Sequence, residues 1–206
     1  MLRVGLTGGI GCGKSMVAGM LRDHGCLVLD ADALAHQLLV PGQAAYHEVL
    51  LGFGAGICDE IGRIDRTKLA AIVFNDPAKL ARLNKIIHPR VIAAQDRQFA
   101  EWSRSYPRGI AVIEAALLIE AGIHERPDGP GKLDRLAVVW CHSGQQLARL
   151  LARGMSAEDA QKRISAQLPI EEKRRLATDE IDNSGTEEET RQQVQQVVAR
   201  WKQLAA

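Results

Sequence analysis

The feature that most constrains this chain is a glycine-rich run of eight residues near its N-terminus. Residues 8–15 read GGIGCGKS and match the pattern GxxxxGK[ST]. An apolar run at residues 2–7 precedes them, and Val17, Met20 and Leu21 follow at helical spacing. Because glycine adopts positive φ angles freely, consecutive backbone N–H groups in such a loop point at one anion at the start of a helix. The run therefore predicts a strand, a phosphate-binding loop and a helix; residues 8–15 are named the phosphate loop.

The side chains that end the phosphate loop indicate a nucleotide and a divalent cation. Lys14 is expected to reach the β- and γ-phosphates as a point charge, and the Ser15 hydroxyl to bind the Mg²⁺ that bridges them. Cys12 is expected to contribute only its backbone. The alternative is a glycine-rich turn that precedes lysine and serine by chance, and the predicted strand and helix on either side argue against it.

The charge balance and the cysteines exclude several classes of protein. Among 206 residues, 26 Lys and Arg stand against 25 Asp and Glu, so the formal charge of +1 gives no electrostatic reason for nucleic acid or an anionic membrane as partner. No apolar stretch is long enough to span a bilayer, and no secretory signal pattern is present, so we expect a cytoplasmic protein. The cysteines form no CxxC pair, and we expect them to be reduced and packed, without zinc. They are Cys12, Cys26, Cys58 and Cys141.

Four nearly continuous apolar runs predict the strands of a parallel sheet in an α/β fold. They lie at residues 2–7, 26–30, 110–114 and 136–141, with helical patterns between them. About 80 residues separate the second and third runs, more than a crossover needs, so we expect an inserted helical lobe. A second helical stretch covers residues 143–177. Residues 125–132, rich in proline and glycine, predict a surface loop.

Capping residues predict where four of the helices begin. Aspartate, serine and threonine side chains accept hydrogen bonds from the first free N–H groups of a helix. Glu189 stands three residues after Thr186 and completes a capping box. The predicted N-caps are Asp65, Asp76, Ser156 and Thr186.

Two aspartates after the second predicted strand indicate a phosphoryl acceptor. Asp30 and Asp32 stand at the carboxyl edge of the sheet, where open parallel sheets bind ligands. Asp32 is expected to orient an attacking hydroxyl and accept its proton. In the alternative interpretations, Asp32 is the N-cap of the next helix, and Asp30 binds the metal or has a structural role. A GTPase is disfavoured, because Asn84 and Lys85 lie in a helical pattern and residues 59–62, DEIG, read as a turn.

The helical stretch at residues 143–177 carries a local surplus of basic residues. Within it, Arg149 and Arg153 lie four apart, on one helix face. We expect this stretch to be a lid, whose guanidinium groups neutralise the oxygens of a transferring phosphoryl group and which excludes water. The alternative is a solvated helix face with ion pairs.

Six segments resemble those of the dephospho-coenzyme A kinase family, and the resemblance covers nearly the whole chain. The phosphate loop is generic, whereas the pair His88 and Pro89 and the tail from residue 163 are more specific to the family. The resemblance implies ATP-dependent phosphorylation of the ribose 3′-hydroxyl of dephospho-coenzyme A, the last step of coenzyme A synthesis. The segments are GLTGGIGCGKS (5–15), VLDADALAHQLLVPG (28–42), IDRTKLAAIVFNDPAKLARLNKIIHP (64–89), ALLIEAG (116–122), RISAQLPIEEKRRLA (163–177) and IDNSGT (181–186).

The resemblance also implies an architecture. It is a three-layer P-loop NTPase fold, with a parallel sheet, a helical acceptor-binding insert and a helical lid. The insert would cover residues 32–105 and the lid residues 143–177. The nucleotide-binding core would then comprise residues 1–31, 106–142 and 178–206. The oligomeric state stays open.

Individual site residues follow from the same resemblance. Asp32, Lys14 and Arg149 would be catalytic, and Tyr46 and His88 would bind the acceptor together with Asp32. Phe74 and Pro89 lie in the same insert, and the alternative for His88 is a helix-breaking structural role beside Pro89. Asn183 and Gly185 resemble the loop beside a late strand that holds the adenine of ATP, and Ser15 would bind Mg²⁺. The residues implied for ATP are Gly11, Cys12, Gly13, Lys14, Ser15, Met16, Arg149, Arg153, Asn183 and Gly185.

Two positions depart from the usual pattern of the family. Met16 stands where threonine usually follows the serine of the loop, and Ala116 stands where proline is usual. Neither replaces a group in the expected chemistry. Glu114 occupies the acidic strand end expected to hold the water shell of Mg²⁺. Two other functions stay open at this point: a P-loop kinase for another nucleotide or metabolite hydroxyl, and a nucleotide-dependent switch without a small-molecule acceptor.

Overall fold

A computed structural model describes residues 1–73, 76–125 and 132–206 of the chain. The predicted loop at residues 125–132 falls almost entirely outside these ranges, as does Phe74. The chain divides into two compact units, of which one comprises Met1–Asp30 and Phe99–Ala206 and the other Ala31–Gln98. They are named the sheet unit and the helical unit. No helix in the described ranges is long and apolar enough to cross a membrane.

The sheet unit is built on five parallel strands in the order β2-β3-β1-β4-β5. The four predicted strands are confirmed, each within one residue at either end. No apolar run marks the fifth, because in its sequence DEID an exposed and a half-buried acidic residue alternate with buried residues. The strands are β1 Leu2–Gly8, β2 Leu27–Asp30, β3 Ile110–Glu114, β4 Arg135–Trp140 and β5 Asp179–Asp182.

Helices connect and cover these strands. Short 3₁₀ turns at Ala55–Ile57 and Ile123–Glu125 complete the regular structure of the described residues. The α-helices are α1 Lys14–Asp23, α2 Ala31–Gln37, α3 Ala44–Phe53, α4 Arg66–Val73, α5 Pro77–Ser105, α6 Ser143–Ala152, α7 Ala157–Ser165, α8 Ile170–Leu176 and α9 Glu187–Ala205.

The predicted helix caps are confirmed. At the start of α9, the Thr186 hydroxyl accepts a hydrogen bond from the Glu189 N–H at 3.2 Å, and the Glu189 carboxylate accepts one from the Thr186 N–H at 2.7 Å. The other three side chains each accept from an N–H two or three residues further on. They are Asp65, Asp76 and Ser156.

The carboxyl edge of the sheet gathers the phosphate loop and two acidic strand ends. β1 lies in the centre, between β3 and β4, so the loop leaves the sheet where the connections switch from one side to the other. The register places Glu114, the last residue of β3, beside Leu6 on β1 and Asp30 on β2. Ligands of open parallel sheets bind at this kind of edge.

A buried ion cluster holds β5 in place. Asp179 accepts hydrogen bonds from Arg135 on β4 at 3.1 Å and from Arg200 and Trp201 on α9 at 3.2 and 3.1 Å. Burial favours the neutral form of Asp179, but these hydrogen bonds outweigh it and lower the pKa of the carboxyl. Trp201 is fully buried in the apolar core that α1 and α9 form with the sheet.

The helical unit has a core of its own, formed by α3, α4, α5 and the first 3₁₀ turn. Residues 59–62 form a turn, as predicted, with the Gly62 N–H donating to the Asp59 carbonyl at 3.1 Å. Asn84 and Lys85 lie inside α5, also as predicted. The unit overlaps the expected insert at residues 32–105, whose acceptor-binding role stays a prediction. Its buried core residues are Val49, Ile57, Leu69, Val73 and Leu83.

Pro89 lies inside α5, so the helix-breaking alternative for His88 is wrong. The helix continues through the proline over 29 residues. A proline in a helix lacks one N–H and leaves carbonyl groups of the preceding turn without their usual donor. Here the missing N–H would have donated to the Lys85 carbonyl, and Arg90 Nη1 donates to the next carbonyl, that of Ile86, at 2.6 Å.

Candidate active site

The phosphate loop adopts backbone angles that require glycine. Gly11 and Gly13 have φ angles of 79° and 89°, in the left-handed region. A Cβ on Gly13 would also lie only 2.0 Å from the Asn183 amide nitrogen, so the position excludes a side chain twice over. The loop therefore presents backbone rather than side chains along this stretch.

Lys14 and Ser15, which begin α1, converge on the carboxylate of Glu114. Lys14 Nζ lies 3.2 Å from Glu114 Oε1, and the Ser15 hydroxyl donates to the same oxygen at 3.0 Å. The Lys14 and Glu114 side chains are only 14% and 5% exposed. An ammonium, a hydroxyl and a carboxylate thus meet at the N-terminus of a helix, where anions are stabilised by free N–H groups and the helix dipole.

Asn183 supports the loop from the end of β5. Its amide nitrogen donates to the Cys12 carbonyl at 2.7 Å, and its amide oxygen accepts from the Thr190 hydroxyl at 3.1 Å. The side chain is buried, and both ends of its amide are engaged within the protein. Its predicted contact with ATP stays a prediction, and the structure adds a loop-supporting role.

Arg149 on α6 lies beside the loop. Its Nη2 donates to the Asn183 carbonyl at 2.9 Å, whereas its Nη1 is buried without a hydrogen-bond partner in the described part of the chain. Arg149 lines a cleft of about 440 Å³. The cleft brings together six residues predicted to bind ATP: Gly13, Met16, Arg149, Arg153, Asn183 and Gly185. Arg153 is the more exposed of the two arginines.

Cys12 and Cys141 are in contact behind the loop. Their sulfurs are 3.5 Å apart, and both residues are buried. The hydrogen bond between the two thiols, aided by the positive charge of Arg149, outweighs burial and lowers the pKa of Cys141 to about 7. The same contact, together with burial, raises the pKa of Cys12. All four cysteines are free thiols, as predicted, and Cys58 is only partly buried.

Sequence reasoning gave no role to two glutamines that contact the loop. The Ile10 N–H donates to Gln167 Oε1 at 2.8 Å, and the Ile10 carbonyl accepts from Gln146 Nε2 at 2.7 Å. Gln167 lies in a segment that resembles the family, and Gln146 follows β4 on α6. A glutamine on an amphipathic helix carries no signal of such a contact, because its partner is a distant backbone group.

The predicted acceptor residues all belong to the helical unit, with Asp32 at the start of α2. Asp32 lies exposed in the first turn of α2, which begins at Ala31, so the N-cap alternative for Asp32 is wrong. The Tyr46 hydroxyl donates to the Gly62 carbonyl, and His88 is exposed on α5. The roles of all three in binding an acceptor stay predictions.

The fold and the loop together define a class of protein. A parallel sheet with strand order 2-3-1-4-5, a glycine loop after its central strand and an arginine-bearing helix beside that loop are the parts of a P-loop kinase. A family model for dephospho-CoA kinase matches residues 2–189. The chain belongs to the dephospho-CoA kinase family, whose members are phosphotransferases that use ATP to phosphorylate a hydroxyl group in the final step of coenzyme A biosynthesis.

Individual relatives agree with the family model over nearly the full length of the chain. The chain is 44% identical to the dephospho-CoA kinase of Aquifex aeolicus over 197 residues, which cover 96% of each protein. It is 42% identical to that of Carboxydothermus hydrogenoformans over 200 residues, covering 97% of this chain and 94% of the relative. A crystal structure from Thermus thermophilus superposes with a TM-score of 0.80 at 34% identity, covering 97% of both chains.

Proposed function

We propose that this chain transfers the γ-phosphate of ATP to the ribose 3′-hydroxyl of dephospho-coenzyme A, giving coenzyme A and ADP. The observation that carries this proposal is the meeting of Lys14, Ser15 and Glu114 at the N-terminus of α1, next to the cleft that Arg149 borders. Membership of the family supplies the acceptor. The same family argues for a cytoplasmic enzyme, because that is where ATP is abundant.

The phosphate loop and Lys14 would hold the donor. The backbone N–H groups of Gly13, Lys14 and Ser15 suit the β-phosphate at the start of α1, and the Lys14 ammonium suits the bridging and γ-phosphate oxygens. In this structure Lys14 rests on Glu114 at 3.2 Å, so the ammonium is already oriented toward the carboxyl edge of the sheet. Asn183, through the Cys12 carbonyl, would keep the loop in this shape.

The residues beside the loop fit a magnesium ion. Mg²⁺ prefers hard oxygen ligands, uses one or two protein groups in nucleotide sites and keeps several waters. The Ser15 hydroxyl and the Glu114 carboxylate, 3.0 Å apart, supply that donor set. When bound, the ion would neutralise charge on the β- and γ-phosphates. Ser15 would be its direct ligand, and Glu114 would accept hydrogen bonds from its waters.

Asp32 would act on the acceptor. Phosphoryl transfer passes through a loose transition state, so a carboxylate contributes mainly by orienting the attacking hydroxyl in line and accepting its proton. Asp32 follows Asp30, the last residue of β2, by two positions and is exposed. Tyr46 and His88 in the helical unit would contact the rest of the acceptor.

Arg149 and Arg153 would stabilise the transferring phosphoryl group. Nη1 of Arg149 is buried and has no hydrogen-bond partner among the described residues. It could therefore donate a hydrogen bond to a phosphate oxygen in the adjacent cleft. Residues 143–177 would form a lid that excludes water and so suppresses ATP hydrolysis.

A coupled ADP-release assay with three acceptors tests the proposed function. We expect kcat/KM with dephospho-coenzyme A to exceed that with AMP or shikimate by at least about 10²-fold, because a site built for one acceptor leaves polar groups unpaired with another. Turnover with only AMP or shikimate would assign the chain to another small-molecule kinase. ADP release that is slow and independent of any acceptor would instead favour a nucleotide-dependent switch.

Replacing Arg149 with alanine is expected to lower kcat by about 10²-fold, the scale for deleting one donor to developing charge. Steady-state kinetics with dephospho-coenzyme A measure this. Arg22→Ala, an exposed arginine near the C-terminal end of α1 and outside the proposed lid, is the matched control and should leave kcat unchanged. If Arg149→Ala lowers only the temperature of unfolding, with normal kcat, the solvated-face interpretation of this arginine is correct.

A further inference from the structure

Both backbone groups of Ile10, in the phosphate loop, form hydrogen bonds to glutamine side chains. Its N–H donates to Gln167 Oε1 at 2.8 Å, and its carbonyl accepts from Gln146 Nε2 at 2.7 Å. Gln146 is buried on α6, and Gln167 lies between α7 and α8. Two separate parts of residues 143–177 therefore form hydrogen bonds to the backbone of the same loop residue.

Within the loop, this stretch is restrained by the hydrogen bond from the Cys12 N–H to the Gly9 carbonyl at 3.1 Å. Ile10 stands between Gly9 and Gly11, and glycine has the largest conformational freedom of any residue. Both glycines are also needed for the contact. A Cβ on Gly9 would lie 2.8 Å from Gln146 Nε2, and one on Gly11 would lie 3.0 Å from the Gln146 carbonyl oxygen. Because Gly9 and Gly11 have no side chains, α6 can approach the loop. The two glutamines then restrict the conformation of the loop.

An ion pair between the buried Lys173 and the partly exposed Glu120 fixes the segment that carries Gln167. The N–H of Leu168, the next residue, donates to Glu120 Oε1 at 3.0 Å. Lys173 Nζ lies 2.8 Å from the same oxygen and donates to the Ala116 carbonyl at 3.1 Å. Lys173 is fully buried. A buried lysine is tolerated only when it is paired and hydrogen-bonded, so this network ties Gln167 firmly to the segment that follows β3.

We infer that Gln146 and Gln167 are positioning residues that hold the phosphate loop in its ligand-binding shape before the nucleotide arrives. This pair is named the glutamine clamp. The inference rests on the proposed function, in which the loop binds the phosphates of ATP. The two glutamines do not contact the substrate. They order the loop before binding, so less conformational entropy is lost when the nucleotide binds, and the affinity for the nucleotide is higher.

Removing one of the two glutamine side chains is expected to weaken the binding of every ligand that contacts the phosphate loop. Gln146→Met and Gln167→Met keep the side-chain length but delete the hydrogen bond. Each should raise the Kd of ATP and of ADP by about 10-fold, while kcat and the KM of dephospho-coenzyme A stay within about 3-fold. Titration calorimetry and steady-state kinetics measure these values. Gln192→Met, an exposed glutamine on α9 bonded to Glu188, is the matched control and should change none of them.

Glutamate substitutions test the polarity of the two hydrogen bonds. Gln167→Glu keeps an oxygen that accepts from the Ile10 N–H. Gln146→Glu replaces the amide donor with a carboxylate oxygen, so two acceptors then face each other at the Ile10 carbonyl. Both add one negative charge next to the same residue, so repulsion of phosphate is common to the two variants. We expect the Kd of ATP to be about 10-fold higher for Gln146→Glu than for Gln167→Glu. Equal Kd values would overturn the clamp.

Hydrogen exchange in the nucleotide-free protein gives a readout that does not depend on ATP binding. The Ile10 amide should exchange at least about 10-fold faster in Gln167→Met than in the wild type, because its acceptor is gone. Lower thermal stability of the Met variants with wild-type exchange and wild-type Kd values would overturn the clamp, since the glutamines would then be structural only. A wild-type chain that binds neither ATP nor ADP would overturn the proposed function and the clamp with it.

Discussion

Asp32→Asn should lower kcat by on the order of 10²-fold or more, with the Kd of ATP nearly unchanged. The amide keeps the size of the side chain but cannot accept the proton of the acceptor hydroxyl, and general-base catalysis contributes about 10²–10⁴-fold. Donor binding stays intact because the loop, Lys14 and Arg149 lie elsewhere in the sequence and carry it. Rapid-quench kinetics with dephospho-coenzyme A, together with calorimetric titration of ATP, separate the two effects.

The matched control for this substitution is Asp23→Asn, on the exposed end of α1. It removes the same charge from another helix and should leave kcat unchanged. An acidic residue in the first turn of a helix also stabilises the helix by about 0.3–1 kcal/mol. If Asp32→Asn shows only a loss of that size in the free energy of unfolding, with normal kcat, Asp32 is a helix-stabilising residue and the base must be sought elsewhere.

Lys14→Met should lower kcat by about 10²–10³-fold and also raise the Kd of ATP, because the lysine charge acts on the phosphates in both the ground state and the transition state. The substitution leaves Glu114 without its ammonium partner, but the Ser15 hydroxyl still donates to the carboxylate. The protein should therefore fold, which circular dichroism checks. Kinetics over a range of ATP concentrations give both constants.

Lys202→Met, at the exposed end of α9, controls for the loss of one positive charge. It should behave as the wild type in both constants. A folded Lys14→Met protein with normal kcat and normal Kd for ATP would contradict the assignment of the phosphate loop as the donor site.

Local signals made much of the sheet unit, and two helix caps of the helical unit, predictable. The phosphate loop, the four apolar strands and the caps at Asp65, Asp76, Ser156 and Thr186 each depend on residues close together in sequence. The physics of these features is local, since a glycine permits a positive φ angle or an aspartate caps its own helix whatever the rest of the chain does. Predictions of this kind were confirmed with small shifts in the boundaries.

The features that sequence reasoning missed depend on distant partners. β5 contains the buried Asp179, which is stable only because Arg135, Arg200 and Trp201 reach it from other elements. An acidic strand contradicts local preference, so tertiary contacts decide that outcome. Pro89 is a separate case: α5 continues through it, and the hydrogen bond from Arg90 to Ile86 on the preceding turn is local.

The site shows the same division. The loop motif predicts the roles of Lys14 and Ser15. Their common contact with Glu114 is not predictable in this way, because Glu114 lies 100 and 99 residues away in sequence. Asn183 was predicted near the nucleotide, and the structure adds that it supports the Cys12 carbonyl. Gln146 gave no sequence signal, and Gln167 stood only within a segment that resembles the family, because a glutamine that binds a remote peptide group looks the same in sequence as one that faces water.

The fate of a radiolabelled γ-phosphate tests the central claim most directly. Incubation with labelled ATP, Mg²⁺ and dephospho-coenzyme A should place one label in the nucleotide product for each ADP formed. A phosphatase specific for 3′-phosphates should then release that label completely. Label found only as inorganic phosphate, or in a product that this phosphatase does not cleave, would contradict transfer to the ribose 3′-hydroxyl.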